Sequence, residues 1–241
     1  MEILFLGLVF LMAVLYSSVG HGGASGYLAL MAIFSFSPEF MRPSALVLNI
    51  FVSSIALFSF YKNGHLRVNL LLPFIITSVP LAFLGGLITV DPKIYKIILG
   101  VFLIIAIIRM LYNPKNQQNE VRYVNKYAAY LIGSSLGFLS GLIGIGGGII
   151  LSPIIILLKW GTMKETAAVS AAFILVNSVS GLIGQFTQGI QLAPEIGFML
   201  AAAITGGVIG SYMGSYKISE KALKYSLSVV LTFASIKLLF L

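Results

Sequence analysis

The sequence predicts an all-α integral membrane protein made of two inverted repeats. Each repeat is expected to hold a short, glycine-broken helix pair, re-entrant or formed of two short spans, plus three full transmembrane helices. Three observations carry this expectation. First, 59% of the 241 residues are hydrophobic and only 9% are charged, with a mean hydropathy of +1.03. A water-soluble domain holds about 25% charged residues, so this chain belongs in a bilayer. Second, the apolar runs follow one order twice, a short pair and then three long runs. Third, glycine clusters break the chain at two corresponding places.

The apolar runs lie at 3–17, 24–36, 43–61, 68–89, 93–112, 127–143, 145–158, 166–188, 192–215 and 222–241. A helix needs about 20 residues to cross a hydrocarbon core about 30 Å thick. Six runs meet or nearly meet that length. The other four, 3–17, 24–36, 127–143 and 145–158, are too short and form two adjacent pairs. The opening MEILFLGLVF carries no Lys or Arg, and no small-residue cleavage site follows. It is therefore expected to stay in the mature protein rather than act as a secretory signal.

An internal repeat links the halves. GHGGA at 20–24 matches GIGGG at 144–148, and Asn49 in LVLNIF matches Asn177 in ILVNSV. KNGHL (62–66), PLAFLGG (80–86) and DPKIYK (91–96) pair with TQGIQ (187–191), TGGVIGS (205–211) and ISEKAL (218–223), at offsets of 124 to 128 residues. The polar stretch NPKNQQNEVRYVNK separates the halves. The expected organisation is a first repeat at 1–112, a cytoplasmic linker at 113–126 and a second repeat at 127–241.

Charge decides how the repeats are related. If each short pair made one broken crossing, the repeats would be parallel and the basic residues would split seven against eight. If each pair starts and ends on one side, the repeats are inverted. One face then carries eleven: Lys62, Arg67, Arg109, Lys115, Arg122, Lys126, Lys159, Lys164, Lys217, Lys221 and Lys224. The other keeps Arg42, Lys93, Lys96 and Lys237. Basic residues concentrate on the cytoplasmic side, which selects the inverted arrangement with both termini outside. A re-entrant hairpin and two short crossings share the same parity, so charge leaves that alternative open.

Helix breaks at matched positions of inverted repeats point to a transporter binding site. A break frees backbone N–H and C=O groups, which hydrocarbon tolerates only against protein or a wet cavity. The freed N–H groups at the start of 24–36 and 145–158 carry partial positive charge and suit an anion. The expected substrate-binding residues are Gly20, His21, Gly22, Gly23, Asn49, Gly144, Gly146, Gly147, Gly148 and Asn177. His21 reads as the one ionisable residue well inside an apolar run, and its repeat counterpart is Ile145. Asn49 and Asn177 read as paired polar residues in mid-helix. Gly206, Gly210 and Gly214, spaced by four, read as a helix-packing stripe instead.

All seven acids fall at segment ends or in connections, whereas cation coupling usually uses a carboxylate within the membrane. No metal site, cofactor or catalytic residue is expected. Cysteine is absent, and no basic patch interleaved with aromatics suggests nucleic acid. The anticipated partners are a small anionic solute and the lipid bilayer.

The duplicated halves, each opening with GHGGA or GIGGG and followed by a helix with a mid-span Asn, resemble the TauE/SafE sulfite exporter family. The stretch LSGLIGIGGGIILSPIIILL carries most of that likeness. The resemblance covers nearly the whole chain. It implies a prokaryotic inner-membrane carrier of sulfur-containing anions, of the sulfite or organosulfonate class, whose pathway the glycine breaks and asparagines line. Two other readings compete. Gly23-Ala24-Ser25-Gly26 resembles the nucleophile turn of rhomboid intramembrane serine proteases, with His21 as the nearest base. A channel-like membrane protein without a carrier cycle would also fit the composition.

Overall fold

The computed structural model describes residues 3–18, 20–111, 121–214, 231–232 and 235–240. Most of the expected linker and most of the last apolar run lie outside the described residues, as do Lys115, Lys217, Lys221 and Lys224. Among the described residues every regular element is helical: α1 (Ile3–Ser18), α2 (Ala24–Ile33), α3 (Pro38–Lys62), α4 (Val68–Leu87), α5 (Pro92–Leu111), α6 (Lys126–Ile143), α7 (Gly148–Leu157), α8 (Met163–Thr187) and α9 (Ile196–Gly214). Residues 231–232 and 235–240 are also helical.

Length separates these helices into classes. Three described helices, α3, α4 and α8, are both long and apolar enough to cross a membrane, where the apolar runs suggest six. Each of α3 and α8 has 25 residues, about 37 Å at 1.5 Å per residue. α2 and α7 have 10 each, about 15 Å, or half a hydrocarbon core. α3 starts five residues before its apolar run, because Ser37 and Pro38 form a proline-led N-terminus with Glu39 in the first turn. α8 starts three residues early on a capping box. Thr162 Oγ accepts from the Glu165 N–H at 3.3 Å, and the Glu165 carboxylate accepts from the Thr162 N–H at 2.8 Å.

The two halves agree in backbone detail. α3 and α8 match at both ends at an offset of 125 residues, Pro38 to Met163 and Lys62 to Thr187. α2 and α7 match at 124, Ala24 to Gly148 and Ile33 to Leu157. Left-handed backbone recurs in step: Gly20 with Gly144, Gly23 with Gly147, Ser35 with Lys159 and Gly64 with Gly189.

Packing interleaves the halves. α4 lies mainly against α6 and α8, α1 against α9, and α3 against α8 and α9. Close approach is set by small residues. At Gly133, Gly137 and Gly141 the α6 backbone meets the carbonyls of Phe74, Ser78 and Ala82, leaving no room for a Cβ. Gly206 and Gly210 of α9 abut the Phe10 and Val14 carbonyls of α1 in the same way, so these two members of the expected stripe do serve packing. The outward faces are apolar: Ile94, Ile97, Val101 and Ile108 of α5, and Leu72, Ile76 and Leu84 of α4, are exposed, as suits contact with lipid. By contrast, α2 is buried from Ala24 to Ala32.

Candidate functional site

The two glycine breaks meet at the middle of the two longest helices. Asn49 and Ile174 each stand one residue from the midpoint of α3 and α8, and both breaks press on them. A Cβ at Gly22 would lie 2.6 Å from Asn49 Oδ1 and 3.0 Å from Ile174 Cγ2. A Cβ at Gly146 would lie 2.5 Å from Asn49 Nδ2 and 3.0 Å from the same Ile174 carbon. Glycine is required at both places by close approach, and at Gly146 also by a φ of 76°.

Asn49 is 1% exposed and ties the breaks together. Its Oδ1 accepts from the Ala24 N–H, the first amide of α2, at 3.1 Å. Its Nδ2 donates to the Ile145 carbonyl in the second break and to Ser178 Oγ, both at 3.4 Å. A side-chain amide is well suited to this, since it offers an acceptor and donors from one planar group. At the start of α7 the matching space beside Gly148 is filled by Ile174. An isoleucine accepts no hydrogen bond. α7 therefore begins without a side-chain acceptor, its Ile150 and Leu151 N–H groups bonding the Gly147 carbonyl, where the first amide of α2 has Asn49 Oδ1.

A small cavity opens here, lined by Tyr16, His21, Gly22, Asn49, Ile145 and Ile174 among others. Its free room for a water-sized particle is about 10 Å³, roughly what one water needs. His21 Nε2 lies 3.0 Å from Ser152 Oγ of α7, and Ser152 Oγ donates to Ser170 Oγ of α8 at 2.7 Å. The hydroxyl proton of Ser152 thus points to Ser170, which leaves Ser152 accepting from His21. Tyr16 OH and Ser25 Oγ pair at 2.7 Å. Ser25 therefore has a phenol partner, and His21 engages a serine from a different helix than the protease reading requires.

Several expected site residues gather here and others do not. His21, Gly22, Gly23 and Asn49 line the cavity, and Gly146 and Gly148 close in on Asn49 and Ile174. Gly20 packs on Phe60 and Ala167, Gly144 on the Arg42 backbone, and Gly147 on Phe173 and Leu136. Asn177 is fully buried but turns inward on its own helix: Nδ2 donates to the Phe173 carbonyl at 2.7 Å and Oδ1 has no partner. The 125-residue offset places Ile174, rather than Asn177, opposite Asn49.

Arg42 is buried deeper in the fold than the apolar-run reading expects. That reading sets it on the outer face, with His21 alone inside. The early start of α3 instead carries Arg42 into the helix, where it is 5% exposed. Its Nη2 donates to the Ile88 carbonyl at 3.1 Å and reaches the Gly141 carbonyl at 3.5 Å. Gln185 Nε2 shares the Gly141 carbonyl at 3.4 Å, and Tyr95 OH donates to the Ile143 carbonyl at 2.9 Å. Three side chains thus serve the freed carbonyls at the end of α6. Among the described residues no group of three or more His, Asp or Glu side chains is placed to hold a metal ion.

A helical chain with membrane-length apolar helices, short helices separated from their predecessors by glycine breaks and a polar centre where the breaks meet is a multi-pass membrane transporter. Comparison with known proteins agrees. Residues 5–238 match the family described as sulfite exporter TauE/SafE, and the chain belongs to that family. A protein of Sinorhizobium fredii named as a "probable membrane transporter protein" is 37% identical over 234 residues, covering 95% of both chains. A second of that description, from Methanocaldococcus jannaschii, is 28% identical over 238 residues, covering 92% of this chain and 88% of the relative. No solved structure matches the chain.

Proposed function

We propose that the protein is a secondary carrier of a small sulfur-containing anion, of the sulfite or organosulfonate class, in a prokaryotic inner membrane. One observation carries the reading: both breaks converge on Asn49 and Ile174, and α7 begins beside Ile174 with no side-chain acceptor at its N-terminus. The N–H groups at that end suit an oxyanion, with Asn49 Nδ2 beside them as a further donor. Its present bonds at 3.4 Å are long and would be exchanged for the solute at little cost. The cavity holds about one water, so loading requires the helix sets to part.

Alternating movement of one repeat against the other supplies that opening. In this reading the repeats are 1–112 and 127–241, oppositely oriented across the bilayer, with both termini outside and the 113–126 linker cytoplasmic. The protein is not an enzyme in this reading, and its other contact is the lipid.

The test is uptake of radiolabelled sulfite into proteoliposomes. Saturable uptake stimulated by sulfite on the far side is expected. Non-saturable flux would indicate a channel, and absence of flux with every sulfur oxyanion would sink the reading. Topology is tested separately in this cysteine-free chain. Tyr123 is 99% exposed, and Tyr123→Cys is expected to label from the cytoplasmic side only.

A further inference from the structure

Two helical turns along α3 from Asn49, on the same face of the helix, stands Arg42. Two turns along α8 from Ser178, again on one face, stands Gln185. The central polar level thus has a second one beyond it, toward the end at which α3 begins. The two side chains meet at the Gly141 carbonyl, which Arg42 Nη2 reaches at 3.5 Å and Gln185 Nε2 at 3.4 Å.

This level is incompletely satisfied. Arg42 is 5% exposed and its Nε–H has no partner. Gln185 is fully buried and its Oε1 has none. Both bonds to Gly141 are at the long limit for a hydrogen bond. Among the described residues the ion pair formed is Arg67–Glu165, and no carboxylate reaches Arg42. Glu39, one turn earlier on α3, is exposed and acts on Arg42 only from beyond ion-pair distance. The carbonyl ends of α4 and α6 offset part of the guanidinium charge, but a buried cation without an anion remains costly.

Nor does the fold itself ask for these residues. The 125-residue offset that aligns α3 with α8 pairs Arg42 with Ala167, and Gln185 with Phe60. Those two apolar residues pack around Gly20, as Arg42 packs on Gly144. The same backbone junction is thus built once with apolar side chains and once with a buried arginine.

We infer that Arg42, with Gln185 beside it, forms a second station for the transported anion, between the central cavity and the end of the bundle where α3 begins. This rests on the carrier reading. The unpartnered Nε–H, with Nη2 beside it once its long bond to Gly141 is given up, matches two oxygens of a trigonal or tetrahedral oxyanion. Gln185 completes the match with the second N–H of Nε2, the first being held by the Gly141 carbonyl. The anion supplies the missing counter-charge as it passes.

The experiment counts labelled sulfite bound per chain in detergent, in a buffer without other small anions, and measures the KM for sulfite in proteoliposomes. Wild type is expected to bind two ions per chain and Arg42→Met one. Arg42→Met should raise KM about tenfold or more, the loss of a charge-assisted bond, with Arg42→Lys between. If Arg42→Met does not fold, Arg42→Lys and Gln185→Leu decide, through raised KM at unchanged melting temperature. One ion per chain in wild type, or lowered melting temperatures with unchanged KM, would overturn the station. Sulfite bound but not moved by wild type would overturn the carrier reading alone, and the variant stoichiometry would still judge Arg42.

Discussion

At the first break the Ala24 amide finds Asn49 Oδ1 at 3.1 Å; at the second, the matching space beside Gly148 holds Ile174. The left-handed residues recur in step, Gly20 with Gly144 and Gly23 with Gly147, so the backbone is built twice to one plan. Its polar groups are completed differently. The repeated part is what a broken helix needs in order to exist at all: glycine where φ is positive and where another helix crosses. The unrepeated part decides which freed groups are already satisfied. Asn49, supplied by the first half, serves both breaks, whereas Ile174, supplied by the second, serves neither with a hydrogen bond.

Removing the shared side chain should have the largest effect. Asn49→Leu keeps similar bulk but strands the Ala24 N–H and the Ile145 carbonyl in a buried place. Each stranded group costs about 1–3 kcal/mol, so for the two a loss of about 2–6 kcal/mol is expected in melting experiments in detergent. Sulfite uptake should fall at least about tenfold. Retained uptake would show that the two breaks do not act through Asn49.

Next in size is a contrast between matched glycines. Gly146→Ala places a Cβ 2.5 Å from Asn49 Nδ2 on a backbone with φ 76°; Gly22→Ala places one 2.6 Å from Asn49 Oδ1 on an ordinary backbone. Both should disturb Asn49 and slow uptake. The first carries an added left-handed penalty of about 1–2 kcal/mol, so its melting temperature should drop further. Equal melting temperatures would mean that crowding alone sets the requirement for glycine.

Much of this arrangement is visible in the sequence, because hydropathy and glycine act locally. Nine apolar runs become α1–α9, and both breaks fall at the glycine clusters. The partner of Asn49 was not visible. Matching by residue type pairs it with Asn177, three positions beyond Ile174. A three-residue slip leaves a side chain about 60° around the helix and about 4.5 Å further along it, and there Asn177 bonds the Phe173 carbonyl of its own helix. Arg42 was hidden for another reason. Arg42 itself bounds the apolar run that starts at 43, yet the helix begins earlier on Ser37 and Pro38. The partners of Arg42, Gln185 and Tyr95 are backbone carbonyls, which every residue carries and no composition reveals.

Making the second break resemble the first is a gentler intervention. Ile174→Asn would place an amide against the start of α7, at the position Asn49 occupies beside α2. If α7's amides receive the anion, this built-in acceptor competes with it. Uptake should then fall by about three- to tenfold, the worth of one net hydrogen bond, with the melting temperature little changed. Undiminished affinity for sulfite would place the anion away from α7.

The smallest effect is expected where the repeat persists without a site. Gly64 and Gly189 close the turns after α3 and α8 with φ 71° and 77°, and nothing lies within 4 Å of a Cβ at either. Alanine there meets no neighbour, so the left-handed backbone alone resists it, at about 1–2 kcal/mol. Gly64→Ala and Gly189→Ala should therefore lower the melting temperature slightly and equally, and leave sulfite uptake intact. They share the positive φ of Gly146 but lack its contact with Asn49. A loss of uptake from either would mean that backbone strain anywhere in the repeat slows the protein, and the contrast between Gly22 and Gly146 would no longer report on the site.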